Sequence, residues 1–299
     1  STQLMARRHG RHGDSTFNTC STRGTCSTCD DRHYYREGCL CKTFVCRCKQ
    51  EDNIPLPLLD EVNEIIEKER TLLTFKLVEQ MQETVEELGA DKVIPVQADL
   101  SQMDGMQQLA DTISAKEDKL DILINNAGAA WGQDYLEFNE AGWHRTMDLN
   151  VKTPFFLTQK LHNLLVAAAS PERPAKVINV SSIDGFRINP WETYAYQASK
   201  AGVVQLTRRV AARLIQDNIV VSSIAPGAFP SEMNKAAKNA PDASAAGIPA
   251  KRIGSAEDMA AAAIYLCSRA GDYVVGETVI VDGGVVNALL PSTFNDPAG

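Results

Sequence analysis

Three observations predict an α/β protein built on a doubly wound, parallel sheet. Runs of four to seven residues rich in Val and Ile alternate with stretches of helical apolar spacing from residue 92 to residue 282. Strands separated by helices require right-handed crossovers, and such crossovers produce a parallel sheet covered on both faces. The chain's 299 residues suit one large α/β domain or two small ones.

Taken in order, residues 1–42 (STQLMARRHG to CLCK) have neither two-residue nor 3.6-residue apolar periodicity, and are rich in Arg, Ser, Thr, Gly and Cys. They read as a mostly disordered segment without a secretory apolar run. The chain opens on Ser1 rather than Met, which leaves its true start open. Helical spacing appears in 54–70 and 75–89, the latter closed by Gly89 at a C-cap position. Strand signals follow at 92–97, 121–125, 176–181, 219–225 and 277–282. Between them lie a helix from Ser101, one through Trp143 and Leu161, a long one over 194–216 and one from Ser255. The expected architecture is a Rossmann-like domain over 43–299, degenerate over 43–76.

Composition narrows the function. An apolar fraction of 44%, with 23% charged residues, is an ordinary soluble profile. A net charge of −8 argues against a nucleic-acid binder, which needs a basic surface to displace counterions from phosphates. No apolar run approaches the roughly 18 residues of a membrane span. Residues 1–50 differ from the rest, with nine Lys/Arg against four Asp/Glu and seven of the eight cysteines.

Candidate chemistry begins with YAYQASK, residues 194–200. Positions four apart share a helix face, so Tyr196 and Lys200 can enter one cleft, whereas Tyr194 has only Ala198 at that spacing. An ammonium beside a phenol favours the phenolate, which marks Tyr196 as the acid/base candidate. Ser181 and Ser182 end a predicted strand, where ligands of open α/β sheets bind. Asn125, Asn126, Ala127 and Gly128 follow another strand, and Gly allows close backbone approach to a ligand. Asn150 lies in a helical pattern that asparagine supports poorly, and its amide could hold a water.

LINNAG, LNV, INVSS, Tyr-x-x-x-Lys and IAPG, in this order between about Glu86 and Gly284, resemble the short-chain dehydrogenase/reductase family. SSIDG through YAYQASKAG, with GAFPSEM and VIVDGG, is most similar to its 3-oxoacyl-(acyl carrier protein) reductase branch, especially the form linked to rhamnolipid synthesis. The resemblance implies a hydride-transferring oxidoreductase using NADP or NAD, with NADP favoured. It makes Tyr196 the acid/base, Lys200 the group that lowers its pKa and holds the nicotinamide ribose, Ser182 the carbonyl-orienting hydroxyl and Asn150 the holder of a relay water. Asn126, Ala127 and Gly128 would lie along the cofactor, Asp99 and Leu100 beside the adenine, and Pro226, Gly227, Phe229 and Ser231 about the nicotinamide. It further implies a cytoplasmic homodimer or homotetramer acting on a small carbonyl or acyl substrate. Trp131, Phe186, Trp191, Phe229 and Met233 are candidate pocket walls, and equally candidate core. Val203, Val204, Leu206, Val210 and Leu214 are candidates for a subunit interface, and equally for the core.

Two departures accompany the resemblance. The family places its serine 13 residues before its tyrosine, which fits Ser181 and Tyr194; Ser182 and Tyr196 are 14 apart but keep the lysine, and a one-residue insertion in FRINPWET reconciles them. The lysine's charge favours Tyr196, with Ser181 kept as a contender. Secondly, the family's first strand and Gly-rich phosphate turn should fall near KTFVCRC (42–48) and KQEDNIP (49–55), yet no glycine occurs between Gly38 and Gly89 and no G-x-G-x-x-G occurs anywhere. Three readings of this front segment stay open: a misread or mis-spliced stretch replacing a normal cofactor half, a degenerate homologue without catalysis that pairs with active subunits or binds a metabolite, or an added Cys-rich module. In the third, CSTC offers one thiolate pair, but the later C-x-C, C-x4-C and C-x-C spacings depart from the second C-x-x-C of a zinc site. No metal site is therefore expected.

Overall fold

Six strands, all paired in parallel, carry the described part of the chain, with helices as the links between them. The computed structural model describes residues 71–75, 93–231 and 234–289. The chain divides into Ser1–Leu56 and Pro57–Gly299, and every described residue belongs to the second unit. The expectations for 1–42, for a strand at 42–48, for a turn at 49–55, for the helical patterns of 54–70 and 76–89 and for Met233 lie outside the described residues.

In chain order the elements are β1 (Thr71–Phe75), β2 (Val93–Gln97), α1 (Met103–Ser114), β3 (Ile122–Asn125), α2 (Glu140–Met147), a π-helical turn (Asp148–Lys152), α3 (Thr153–Lys160), α4 (His162–Ala168), β4 (Ala175–Val180), α5 (Tyr194–Leu214), β5 (Ile219–Pro226), α6 (Lys235–Asn239), α7 (Pro241–Ala245), α8 (Ala256–Cys267) and β6 (Thr278–Val281). Among the described residues β1 pairs with β2, and β3, β4, β5 and β6 form a second sheet in that order. The predicted strands and long helix appear within a residue or two of their expected ends. The helix expected through Trp143 and Leu161 is instead three helices joined by the π turn and by a non-helical Leu161.

Burial explains these elements. Met106, Leu109, Ala110 and Ile113, spaced three and four apart, turn one face of α1 into a core with Val96 of β2 and Leu157 of α3. Val177, Ile219 and Val221 pack against Ala211 and Leu214 of α5. On the opposite face, Ile178 and Ile224 meet Leu266 of α8. The central strands β4 and β5 are buried along nearly their whole length, as apolar runs covered on both sides must be. Val203, Val204 and Leu214 of α5 are buried in this chain's own core, while Ala201, Gln205, Arg208 and Ala212 face outward. Val203, Val204 and Leu214 thus take the core role, Val210 packs against the core, and Leu206 is half-buried. Among the described residues no helix is long and apolar enough to cross a membrane.

Candidate active site

Because β3, β4, β5 and β6 are parallel and in register, their carboxyl ends open on one edge of the sheet. Asn126 to Gly128 leave β3 there, Ser181 and Ser182 leave β4, and Pro226 ends β5. α5 starts with Tyr194 close to that edge and carries Tyr196 and Lys200 in its first two turns.

The two tyrosines diverge. Tyr194 donates its hydroxyl to Glu192 at 2.9 Å and stacks edge-on against Tyr135 and Phe138. That carboxylate holds its pKa above the ordinary phenol value. Tyr196 is turned inward, with Lys200 Nζ 5.6 Å from its ring centroid. The serines diverge as well: Ser181 Oγ donates to the Lys200 carbonyl at 2.8 Å, whereas Ser182 acts on Tyr196, working to lower its pKa. Gly185 locks this arrangement, since a Cβ there would come within 2.8 Å of the Lys200 backbone carbon. The turn bearing Ser182 can therefore rest directly on the helix bearing Tyr196 and Lys200.

Electrostatics correct one expectation. Burial raises the Tyr196 pKa, a Ser182 hydrogen bond works against that rise, and the Asp184 charge adds to it. The phenol is thus held protonated rather than made acidic by Lys200. The reason is the lysine's place: Nζ donates to the Val180 carbonyl at 2.8 Å and lies over the ring instead of at the phenolic oxygen. Lys200 is itself 5% exposed, and desolvation lowers its pKa to about 8.

Asn150 occupies the π turn, where an extra residue widens the helix and its poor helical preference costs less. Its amide grips the 126–130 loop, Oδ1 accepting from Ala129 N at 2.8 Å and Nδ2 donating to Ala129 O at 2.9 Å. Nδ2 also donates to Ser199 Oγ at 2.9 Å, and Ser199 in turn donates to the Tyr196 carbonyl at 2.7 Å. Ser199 was not singled out in the sequence, though its place three residues after Tyr196 put it on the same side of α5. The adjoining Gly128 keeps space open, because a Cβ there would stand 3.7 Å from Lys200 Nζ and 3.4 Å from Asn150 Oδ1.

The remaining predicted residues fall as follows. Asn126 and Ala127 are exposed. Asp99 caps the approach to α1 by accepting from Ser101 N and Oγ at 3.1 and 2.7 Å, while the Leu100 side chain is in the α1 core. Gly227 lies against Asp282, with its N–H donating to Val281 O at 2.9 Å. The Phe229 ring packs over Gly254, and Ser231 Oγ accepts from Asn234 N at 3.0 Å. Trp131 packs on Gly142 and donates to Gln133 at 3.0 Å, whereas Trp191 is 61% exposed. Among the described residues no group of three or more His, Cys, Asp or Glu could hold a metal.

A hydroxyl, a phenol and an ammonium thus meet beside an open backbone loop at the carboxyl edge of the sheet, an arrangement suited to moving a proton on or off an oxygen. A family model described as Enoyl-(Acyl carrier protein) reductase matches residues 70–286. The chain is 42% identical over 199 residues to the rhamnolipids biosynthesis 3-oxoacyl-[acyl-carrier-protein] reductase of Pseudomonas aeruginosa, covering 66% of this chain and 77% of that protein. It is 36% identical over 207 residues to the 2-dehydro-3-deoxy-D-gluconate 5-dehydrogenase of Escherichia coli, covering 68% and 80%. The solved Pseudomonas aeruginosa RhlG/NADP active-site complex superposes with a TM-score of 0.70 at 37% identity, covering 75% of this chain and 91% of that one. With this fold, this site and these relatives, the chain belongs to the short-chain dehydrogenase/reductase family of oxidoreductases.

Proposed function

We propose that the protein is an NADP-dependent reductase of small carbonyl compounds, with 3-oxoacyl groups as its substrate class. The observation that carries this reading is the grouping of Ser182, Tyr196 and Lys200 at the start of α5, with Gly128 leaving a Cβ-sized gap 3.7 Å from the Lys200 ammonium. Bound NADPH supplies a hydride to the carbonyl carbon. The residues of this chain manage the oxygen. Ser182 donates a hydrogen bond to it, and Tyr196 passes its proton to the growing alkoxide. Lys200, charged below about pH 8, would hold the ribose. Asn150 fixes the loop of Asn126, Ala127 and Gly128 along the cofactor.

Gly128, whose missing Cβ leaves a gap before the Lys200 ammonium, supports placing the nicotinamide half of the cofactor here. The region expected to receive the pyrophosphate lies outside the described residues. RhlG with bound NADP supports the choice of NADP, and the 3-oxoacyl carrier-protein reductases among the relatives support the acyl class. Exposed Tyr135, Leu136, Phe186, Ile188 and Trp191 on the loops after β3 and β4 suit an apolar chain. A cytoplasmic homodimer or homotetramer, packed through the outward face of α5, completes the proposal; light scattering tests the assembly.

A phenol kept protonated suits reduction. Rates of reduction are expected to be level near neutral pH and to fall above about pH 8 as Lys200 loses its charge. Fluorescence titration with NADPH and NADH, followed by turnover of a 3-oxoacyl thioester, is the test. Tyr196→Phe should bind NADPH like the parent and lose turnover by about 10²-fold or more. Absence of binding at millimolar coenzyme would instead favour a non-catalytic homologue, a reading to which the missing G-x-G-x-x-G points.

A further inference from the structure

The turn after Ser182 carries charged and polar residues that the proton transfer above leaves unused. Asp184 donates its backbone N–H to Ser182 Oγ at 3.1 Å, which occupies one lone pair and leaves the hydroxyl proton for Tyr196. Its carboxylate accepts from Asn189 Nδ2 at 2.7 Å and lies 3.8 Å from Arg187 Nε. The Asp184 side chain is 12% exposed and that of Arg187 35%, and Arg187 Nε is buried with no hydrogen-bond partner. Asn189 is 4% exposed. Its Oδ1 accepts from Trp191 N at 2.9 Å and Nδ2 donates to Thr193 Oγ1 at 3.2 Å, tying the 186–193 loop to the start of α5.

We propose that Asp184 and Arg187 are positioning residues that act on the reaction through Ser182 and Tyr196, with Asn189 as the brace that holds them. The proposal rests on Tyr196 as the acid/base. The carboxylate opposes negative charge on the phenolate, and the guanidinium offsets the carboxylate. Other groups facing the phenol do not duplicate this effect. Lys200 lies over its ring from the same helix, the loop of Asn126 to Ala130 brings no charge, and Asp134 and Glu192 act on Tyr194 instead.

The test uses the full chain carrying Asp184→Asn, Arg187→Gln or Asp184→Glu, each also combined with Tyr196→Phe. Ultraviolet tyrosinate absorbance is titrated without coenzyme, and the difference between each pair isolates Tyr196. Asp184→Asn should move the Tyr196 transition down and Arg187→Gln should move it up, with Asp184→Glu close to the parent. The pH at which NADPH-linked reduction falls should shift in the same opposite senses, with kcat changing more than KM. Shifts in one common direction, or none, would overturn the proposal, because general loosening of the turn has no reason to separate the two variants. If Asp184→Asn does not fold, Arg187→Gln decides alone: an upward shift supports the idea and an unmoved transition rejects it. Failure of the underlying reading looks different, since Tyr196→Phe would then keep parental turnover.

Discussion

At the residue scale, Lys200 is held in conflict with its surroundings. Its pKa is lowered from 10.5 to about 8 by desolvation, so between those pH values the unfolded chain binds a proton that the folded chain has released. Stability should therefore rise with pH across that window, and the full cost of burying the ammonium is present below pH 8. Lys200→Met is expected to stabilise the fold at pH 7 by about 2 kcal/mol, after loss of the Val180 bond, and to abolish turnover. Urea unfolding at pH 7 and pH 10 checks this, with the gain shrinking at the higher pH. The Tyr-x-x-x-Lys spacing made Tyr196 and Lys200 legible in the sequence, because helical geometry alone places them together. Asp184 and Asn189 were not legible: their meaning depends on how an irregular loop folds back on Ser182, and no periodicity encodes that.

At the element scale, register lines up a buried polar row across four strands: Asn125 opposite Asn179, Asn179 opposite Ser223, and Ser223 opposite Thr278. One end is bonded through its amide nitrogens, although Asn125 Oδ1 is itself buried without a partner. Asn125 Nδ2 donates to Asn179 Oδ1 at 2.9 Å, and Asn179 Nδ2 donates to Thr207 Oγ1 of α5 at 2.9 Å. At the other end, Ser223 Oγ and Thr278 Oγ1 are buried without partners. Asn179→Ala should cost about 2 kcal/mol by stranding Thr207 and leaving Asn125 Nδ2 only its 3.3 Å bond to Thr158, whereas Ser223→Ala and Thr278→Val should be neutral or stabilising by up to about 1 kcal/mol. Chemical denaturation of the three variants would separate these cases. The strands themselves were readable from their Val and Ile runs. The π turn at Asp148–Lys152 was not, since a one-residue widening leaves the helical apolar pattern almost unchanged.

For the whole molecule, the strand and helix alternation from residue 92 onward was enough to identify a doubly wound sheet, because burial on both faces imposes continuous apolar strands. The front of the chain gave no such guide, as its Cys- and Arg-rich composition carries no period. NADPH binding should stabilise the entire folded unit by about 2.7 kcal/mol at a hundredfold excess over Kd. A thermal melt with NADPH and with NADH measures the preference directly, and the larger shift is expected with NADPH. Gly185 carries a consequence for how such a molecule can change. With the serine-bearing turn seated on the backbone at Lys200 and Ala201, the proton machinery cannot drift piecemeal. A laboratory selection for new ketones should accordingly collect its substitutions at Leu136, Ile188 and Trp191, and almost never at that glycine.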